Sequence, residues 1–310
     1  MRFERPEIIR PPSEHASYYL PLTSGCSNNT CAFCAYSFTN LGIRDLQDVK
    51  SEIDAMSLYM NSRMALPGQP DIVYAILSRW DGRRVFLQDG DALVYPYPKL
   101  VEALQYLNGK FPSLERIASY ATPQDVLRRS MAELKALKEL NLGILYMGVE
   151  SGDDDVLIRI KKGATHAEMV EAAAKVREAG ILLSVTVILG LGGVQGSRRH
   201  AMETARILTE MDPDYAGALT LTLIPGTPLY LEWEKGNFEL ITPLDSLKEL
   251  RTIVEHAEFS DCFFSSMHAS NYFAIRGSMP GDKGKVLAQL DSILSKKDPA
   301  LLRPEYLRGL

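Results

Sequence analysis

The sequence predicts an α/β protein, and three observations carry the prediction. Short runs rich in β-branched and aromatic residues alternate with stretches of helical period as far as about residue 225. The run LLSVTVIL at 182–189 is apolar almost throughout, as expected of a parallel strand covered by helices on both faces. Helix start and stop signals stand in the gaps between the runs. With 46% apolar residues in 310, the chain has material for a substantial core.

Taken in order, strands are expected at Tyr18–Leu22, Arg84–Gln88, Arg116–Tyr120, Ile144–Gly148, Leu182–Ile188 and Ala216–Leu223. Thr122 followed by Pro123 gives an N-cap with proline at the first helical position. Ser130 with Glu133, and Thr165 with Glu168, have the spacing of capping boxes, and Gly143 and Gly180 are expected to mark helix ends. Met56, Met60 and Met64 recur at helical spacing and read as the core stripe of a helix. The alternation fades after Leu223, where PGTPLY and two helical stretches, about Asp245–Glu258 and Lys283–Lys296, follow. Residues 1–230 are therefore expected to form one α/β domain, and 231–310 a mostly helical C-terminal extension. Periodicity fits an open sheet and a barrel alike, and in both ligands gather at the C-terminal ends of the strands.

Composition narrows the partners and the setting. Lys+Arg 34 against Asp+Glu 39 gives a net charge of -5, which disfavours a nucleic-acid partner. No apolar run approaches a membrane span and the first residues lack the apolar segment of a signal peptide, so a cytoplasmic protein is expected. Thiols are kept reduced there, which turns attention from disulfides to ligation. Cys26, Cys31 and Cys34 form a C-x4-C-x2-C run within GCSNNTCAFCAY, directly after the first strand. A closed structural zinc site needs four ligands and would require a distant partner such as His15 or Cys262. An iron–sulfur cluster on three thiolates instead leaves one iron open to an exogenous ligand. The iron–sulfur reading is the leading one, with zinc or an unmetallated loop as its alternatives.

GCSNNTCAFCAY, FLQDGDAL after the second strand, GVESGDDDVL after the fourth and VTVILGLGG after the fifth together resemble, in order and position, the radical S-adenosylmethionine (radical SAM) superfamily. The similarity is nearest to the branch holding the Elongator catalytic subunit, the methylthiotransferases and the oxygen-independent coproporphyrinogen oxidases. It covers about residues 17–225, and departs from the commonest C-x3-C-x2-C spacing by one residue. The resemblance implies a partial (β/α)6 TIM-like barrel and a 4Fe-4S cluster on Cys26, Cys31 and Cys34. It also implies SAM at the open iron, reductive cleavage to a 5'-deoxyadenosyl radical, hydrogen abstraction from substrate, and an electron donor such as flavodoxin or ferredoxin.

Each supporting residue has two readings. Phe33 shields the cluster or flanks adenine, or else packs in its loop. Gln88, Asp89, Gly90 and Asp91 meet the methionine ammonium, or form an Asp/Gly turn. Glu150 accepts from the ribose hydroxyls, or favours a helix N-terminus, with Ser151 in the turn beside it. Lys162, or Arg159, reaches the SAM carboxylate, or is a solvated cation. Ile188 and Gly190 approach adenine, or end a strand.

Beyond the barrel, CFFSSMHASNYFAIRG is expected to cap the mouth, with His268, Asn271, Tyr272 and Arg276 contacting substrate, or to dock as an ordinary amphipathic segment. Cys262, His268 and Tyr272 are the weak candidates for catalysis, Cys262 reading rather as a buried inert thiol. Walker, nicotinamide-fingerprint and H-E-x-x-H patterns are absent. A small-molecule or peptide substrate is expected. The alternatives are an RNA-modifying enzyme of the same class and a non-catalytic iron–sulfur or zinc protein.

Overall fold

The computed structural model describes residues 3–36 and 39–309. They fall into two compact units. The first takes the described residues as far as Asn29, those from Thr39 to Tyr146, and Lys175–Leu182; the second takes the remainder. Among the described residues no helix is long and apolar enough to cross a membrane.

The first unit runs β1 (Tyr18–Pro21), α1 (Leu46–Ser62), α2 (Asp71–Leu77), β2 (Arg84–Gln88), α3 (Tyr97–Lys110), β3 (Arg116–Tyr120), α4 (Pro123–Arg128) and α5 (Met131–Glu139). It then enters β4 (Leu142–Glu150), which carries on into the second unit. β1 pairs with β2, β2 with β3 and β3 with β4, all parallel, with Phe86 beside Ala118 and Ala118 beside Ile144. On the face they share, Phe86, Ala118, Ile144 and Tyr146 form a buried cluster against Tyr120. The residues before β1 lie against this unit. Glu14, fully buried, takes the phenol of Tyr146 at 2.7 Å and the guanidinium of Arg116 at 2.5 Å. Glu52, equally buried on α1, accepts from Tyr18 at 2.6 Å and Arg5 at 2.5 Å and forms an ion pair with Arg44 at 2.7 Å, the charge pairing a buried carboxylate requires.

Caps explain where these helices begin. Thr122 with Asp125, and Ser130 with Glu133, close reciprocal capping boxes, the second as expected from spacing. Two expectations are corrected. Gly143 lies inside β4, and the left-handed residue after α5 is Asn141 at φ 69°, whose short side chain tolerates that turn. Of the methionine stripe only Met56 is core, because α1 stops at Ser62 and Met64 beyond it is 57% exposed.

The second unit continues with α6 (Asp154–Arg159), α7 (His166–Glu178, its last turn belonging to the first unit), β5 (Leu182–Leu189), α8 (Gly193–Met211), β6 (Tyr215–Thr220), α9 (Pro228–Glu234) and α10 (Pro243–His256). It ends with β7 (Cys262–Ser265), β8 (Arg276–Met279) and α11 (Lys283–Lys296). Thr165 and Glu168 bond each other's backbone N–H as a capping box does. β5 and β6 pair in parallel over six registered residues, β6 continues in parallel with β7, and β8 is antiparallel to β7. The region after residue 230 is thus not helical alone, because CFFS and RGSM add two strands. After an exposed first residue, burial along β5 and β6 alternates between buried and half-buried, so only one face of these strands is fully covered, where LLSVTVIL suggested both. All six expected strands are present, with ends shifted by up to three residues.

Candidate functional site

The cysteine loop is fixed by separate groups in each unit. In the first, the end of β2 holds the stretch around Cys26. Gly25 N–H donates to Asp89 at 2.9 Å and Ser27 N–H to Asp91 at 3.0 Å, both carboxylates being buried. Gly90 lies against the loop, where an added Cβ would sit 3.0 Å from that of Cys26. The Gln88 amide donates to the Glu7 carbonyl. Gln88, Asp89, Gly90 and Asp91, read from the sequence as cofactor ligands, thus spend much of their hydrogen bonding on the chain itself. Burial first, and the neighbouring Asp125 second, push the Asp91 carboxyl above its ordinary range.

In the second unit the remainder of the loop docks on the turn after α6 and on α9. Ala32 N–H donates to Ile160 O at 2.7 Å, and Leu229 N–H donates to Ala32 O at 2.8 Å. Cys31 is buried, Cys34 half-buried, and Phe33 between them half-buried. Burial pushes the Cys31 thiol up to about 11, while the charge of Lys162 pulls it down.

Lys162 and Glu150 form a buried ion pair at 2.9 Å. Glu150 ends β4 in the left-handed region at φ 65°, and its side chain folds back over Gly148. An added Cβ on Gly148 would lie 2.0 Å from Glu150 Oε1 and 3.0 Å from Lys162 Nζ, so glycine there makes room for the pair. Arg159, the second cation considered for the SAM carboxylate, instead donates to Leu191 O at 2.8 Å and lies over the Phe238 ring.

A histidine that the sequence reading did not single out ties the ends of β4 and β5 together. His200 on α8 is fully buried, and burial lowers its pKa to about 4, so the ring is neutral. Nε2 lies 3.0 Å from Ile188 O, a carbonyl that can only accept, so Nε2 carries the proton. Nδ1 is then the acceptor, and Ser151 Oγ at 2.8 Å donates to it while accepting from Asp153 N–H. Beside it, Gly190 N–H donates at 2.7 Å to Glu249 on α10, a carboxyl that burial pushes up to about 7. The signal for both residues was a polar side chain on the buried stripe of a helix, beside Ala201 and Thr204 in α8 and beside Leu250 and Ile253 in α10.

The C-terminal candidates lie between β7 and β8 or at their ends. Cys262 is a buried strand residue whose thiol burial pushes up to about 12. Asn271 accepts from Thr220 Oγ1 at 2.8 Å and donates to Ala218 O and Ser266 O at 2.7 and 2.9 Å, which fastens its loop to β6. His268 Nδ1 meets Ser270 Oγ at 2.9 Å, and Tyr272 donates to Glu305 at 2.7 Å with Arg308 over its ring. Arg276 is exposed and makes no ion pair among the described residues.

An α/β scaffold with three cysteines in one loop, buried charges and carboxylates at the strand ends, and no disulfide among the described residues fits an iron–sulfur class of site. The chain belongs to the radical SAM superfamily, whose family model matches residues 20–205. It is a radical SAM enzyme, with a 4Fe-4S cluster and S-adenosylmethionine as cofactors. The heme chaperone HemW of Bacillus subtilis is 25% identical over 225 residues, covering 71% of this chain and 55% of that protein. The tRNA-2-methylthio-N(6)-dimethylallyladenosine synthase of Hahella chejuensis is 28% identical over 232 residues, covering 73% of this chain and 47% of its own length. The chain therefore spans about half the length of these relatives. Coproporphyrinogen III oxidase (HemN) of Escherichia coli superposes with a TM-score of 0.54 at 15% identity over 77% of this chain and 51% of that one, a likeness of fold: TIM-barrel-like α/β.

The donor set fits the cluster. Among the described residues no three His, Cys, Asp or Glu side chains converge as a single metal ion would demand, whereas the thiolates on a 4Fe-4S cluster each bind a different iron. Ligation also removes the proton that burial otherwise holds on Cys31.

Proposed function

We propose that this enzyme cleaves SAM reductively and abstracts hydrogen from a small-molecule or peptide substrate. When bound, cluster and SAM supply a 5'-deoxyadenosyl radical; the chain's own residues bind, orient and shield. Cys26, Cys31 and Cys34 hold the cluster. Glu150 accepts from ribose hydroxyls and Lys162 receives the SAM carboxylate, while Ser151, Ile188 and Gly190 line the adenosine side. The observation that carries this reading is the buried Glu150–Lys162 pair beside Cys31, a charged and water-poor place at the end of β4. Asn271 positions the C-terminal loop, and His268, Tyr272 and Arg276 are its substrate contacts. Arg276 supports this as an exposed cation without a carboxylate among the described residues. A net charge of -5 favours a small or peptidic substrate over RNA, and cysteines outside any disulfide among the described residues suit a cytoplasmic setting.

Anaerobic reconstitution tests the reading. Wild-type protein should bind about four irons, the content of one such cluster, and form 5'-deoxyadenosine from SAM under reduction, and replacement of any one of the three cysteines by alanine should abolish both. SAM cleavage by a variant lacking all three cysteines would refute it. A screen of metabolite extracts, peptides and tRNA for deuterium transfer into 5'-deoxyadenosine then identifies the substrate class, and transfer from tRNA alone would overturn the small-substrate part.

A further inference from the structure

Beside the cysteine loop, the second unit carries a groove of about 450 Å³ whose lining includes Ala32, Arg159, Lys161, Leu231 and Lys235. The backbone of Ala32 is bonded on both sides, to Ile160 and to Leu229, so the loop forms part of the groove wall. The charge here runs against that of the chain. Three cations line the groove against one carboxylate, Glu232, in a protein of net charge -5. Lys161 makes no ion pair among the described residues, and Arg159 bonds a carbonyl rather than a carboxylate. Leu231, which lines the groove, is 43% exposed, and Ile158 at 73% and Trp233 at 41% are exposed on α6 and α9, the helices that supply Arg159 and Leu231 to it.

We infer that this groove is the docking surface for an acidic one-electron carrier protein, an inference that rests on the function proposed above. The cluster must gain one electron from outside, because the other cysteine, Cys262, is a single buried thiol that cannot hold a second centre. Transfer falls steeply with distance, so the carrier must approach the loop that holds the cluster. In the step one electron leaves the reduced carrier and the cluster gains it; no bond forms or breaks. Small interfaces with a few steering charges and a little apolar contact suit such brief encounters. Three cations fall short of the roughly 6–10 phosphate contacts that give a nucleic-acid site its affinity, and exposed apolar side chains contribute nothing to phosphate binding.

The test uses cluster-loaded protein, reduced flavodoxin as the acidic carrier, and dithionite as a small reductant that needs no docking. Cluster reduction is followed by stopped-flow absorbance over a range of salt, and carrier binding by calorimetric titration. In the double variant Lys161→Glu with Lys235→Glu, the second-order rate from flavodoxin should fall about tenfold or more at low salt and lose its salt dependence. Dithionite reduction and SAM cleavage with dithionite should be unchanged. Leu231→Asp, which adds a negative charge without touching the lysines, should slow the carrier in the same way. Wild-type rates from flavodoxin in both variants would overturn the proposal. So would an equal loss with dithionite, which would assign the lysines to holding the loop, or lysine-dependent tRNA binding with unchanged carrier kinetics, which would make this an RNA surface. Failure of wild-type protein to cleave SAM with dithionite would refute the proposed function instead, which keeps the two failures apart.

Discussion

Glu249 makes the stability of this protein depend on pH in a direction that can be worked out. Glu249 is 2% exposed, and burial pushes its carboxyl from 4.5 to about 7 against the pull of hydrogen bonds from Ser197 and the Gly190 N–H. A group whose pKa is raised on folding stabilises most fully below its unfolded value, and that contribution fades as pH rises through the folded one. The window therefore runs from about pH 4.5 to about pH 7. A shift of about 2.5 units at 1.36 kcal/mol each amounts to about 3 kcal/mol, or roughly 6 °C in Tm for a chain of this size. Glu249→Gln keeps an acceptor for Gly190 and removes the titration. Thermal unfolding of both proteins, anaerobic and at constant ionic strength from pH 5 to 8.5, isolates the effect in the difference between the curves, because Asp91 titrates in both. Wild-type Tm should fall relative to the variant as pH rises. Parallel curves would refute the reasoning, since they would mean that Glu249 is charged in the fold at no cost.

Gly148→Ala should leave iron content unchanged but cost up to about 3 kcal/mol, because its Cβ would meet the carboxylate of Glu150 at 2.0 Å and push it out of its buried pair with Lys162. Displacing that carboxylate should weaken SAM binding by about tenfold, read by equilibrium titration; unchanged affinity would return Glu150 to a purely local role. Asn271→Ala removes three hydrogen bonds and strands Thr220 Oγ1 and two carbonyls, at about 1–3 kcal/mol for each buried group left unpaired. Its Tm should fall by several degrees, whereas His268→Ala, which loses two half-buried hydrogen bonds, both to Ser270, should unfold nearer to wild type while losing substrate-derived product.

The sequence carried the architecture of this protein further than its site. Strands and caps were legible because they are local: a β-branched run such as RVFLQ, or Ser130 with Glu133, needs only its neighbours to take its form. The two strands Cys262–Ser265 and Arg276–Met279 were missed because four residues are too few to show a period, and they form only by pairing with β6 and with each other. The cysteine loop announced itself by spacing. Asp89 and Asp91 did not announce that their carboxylates face the loop backbone, since the same Asp/Gly turn could as well present them to a ligand. His200 and Glu249 were invisible to motif reading because they act across 49 and 59 residues, on Ser151 and Gly190. Only the anomaly of a polar residue on a buried helical stripe points to them.

Glu150 and Lys162 constrain what can bind between them. Each is buried, each is the other's partner, and Glu150 sits in a left-handed conformation that costs a non-glycine residue about 1–2 kcal/mol. A ligand that engages only one of them weakens the ion pair that compensates the other, and loss of a buried pair costs several kcal/mol. The ligand must therefore offer donors to the carboxylate and an acceptor to the ammonium together. In the proposed reading, ribose hydroxyls and the amino-acid carboxylate of SAM do so from the same molecule. The frame that would receive them is already fixed, because neutral His200 accepts from Ser151 and donates to Ile188, holding the ends of β4 and β5 through hydrogen bonds that survive any pH at which Nδ1 stays unprotonated. With both strand ends held before the ligand arrives, little binding energy is spent on ordering them, and more remains for separating Glu150 from Lys162.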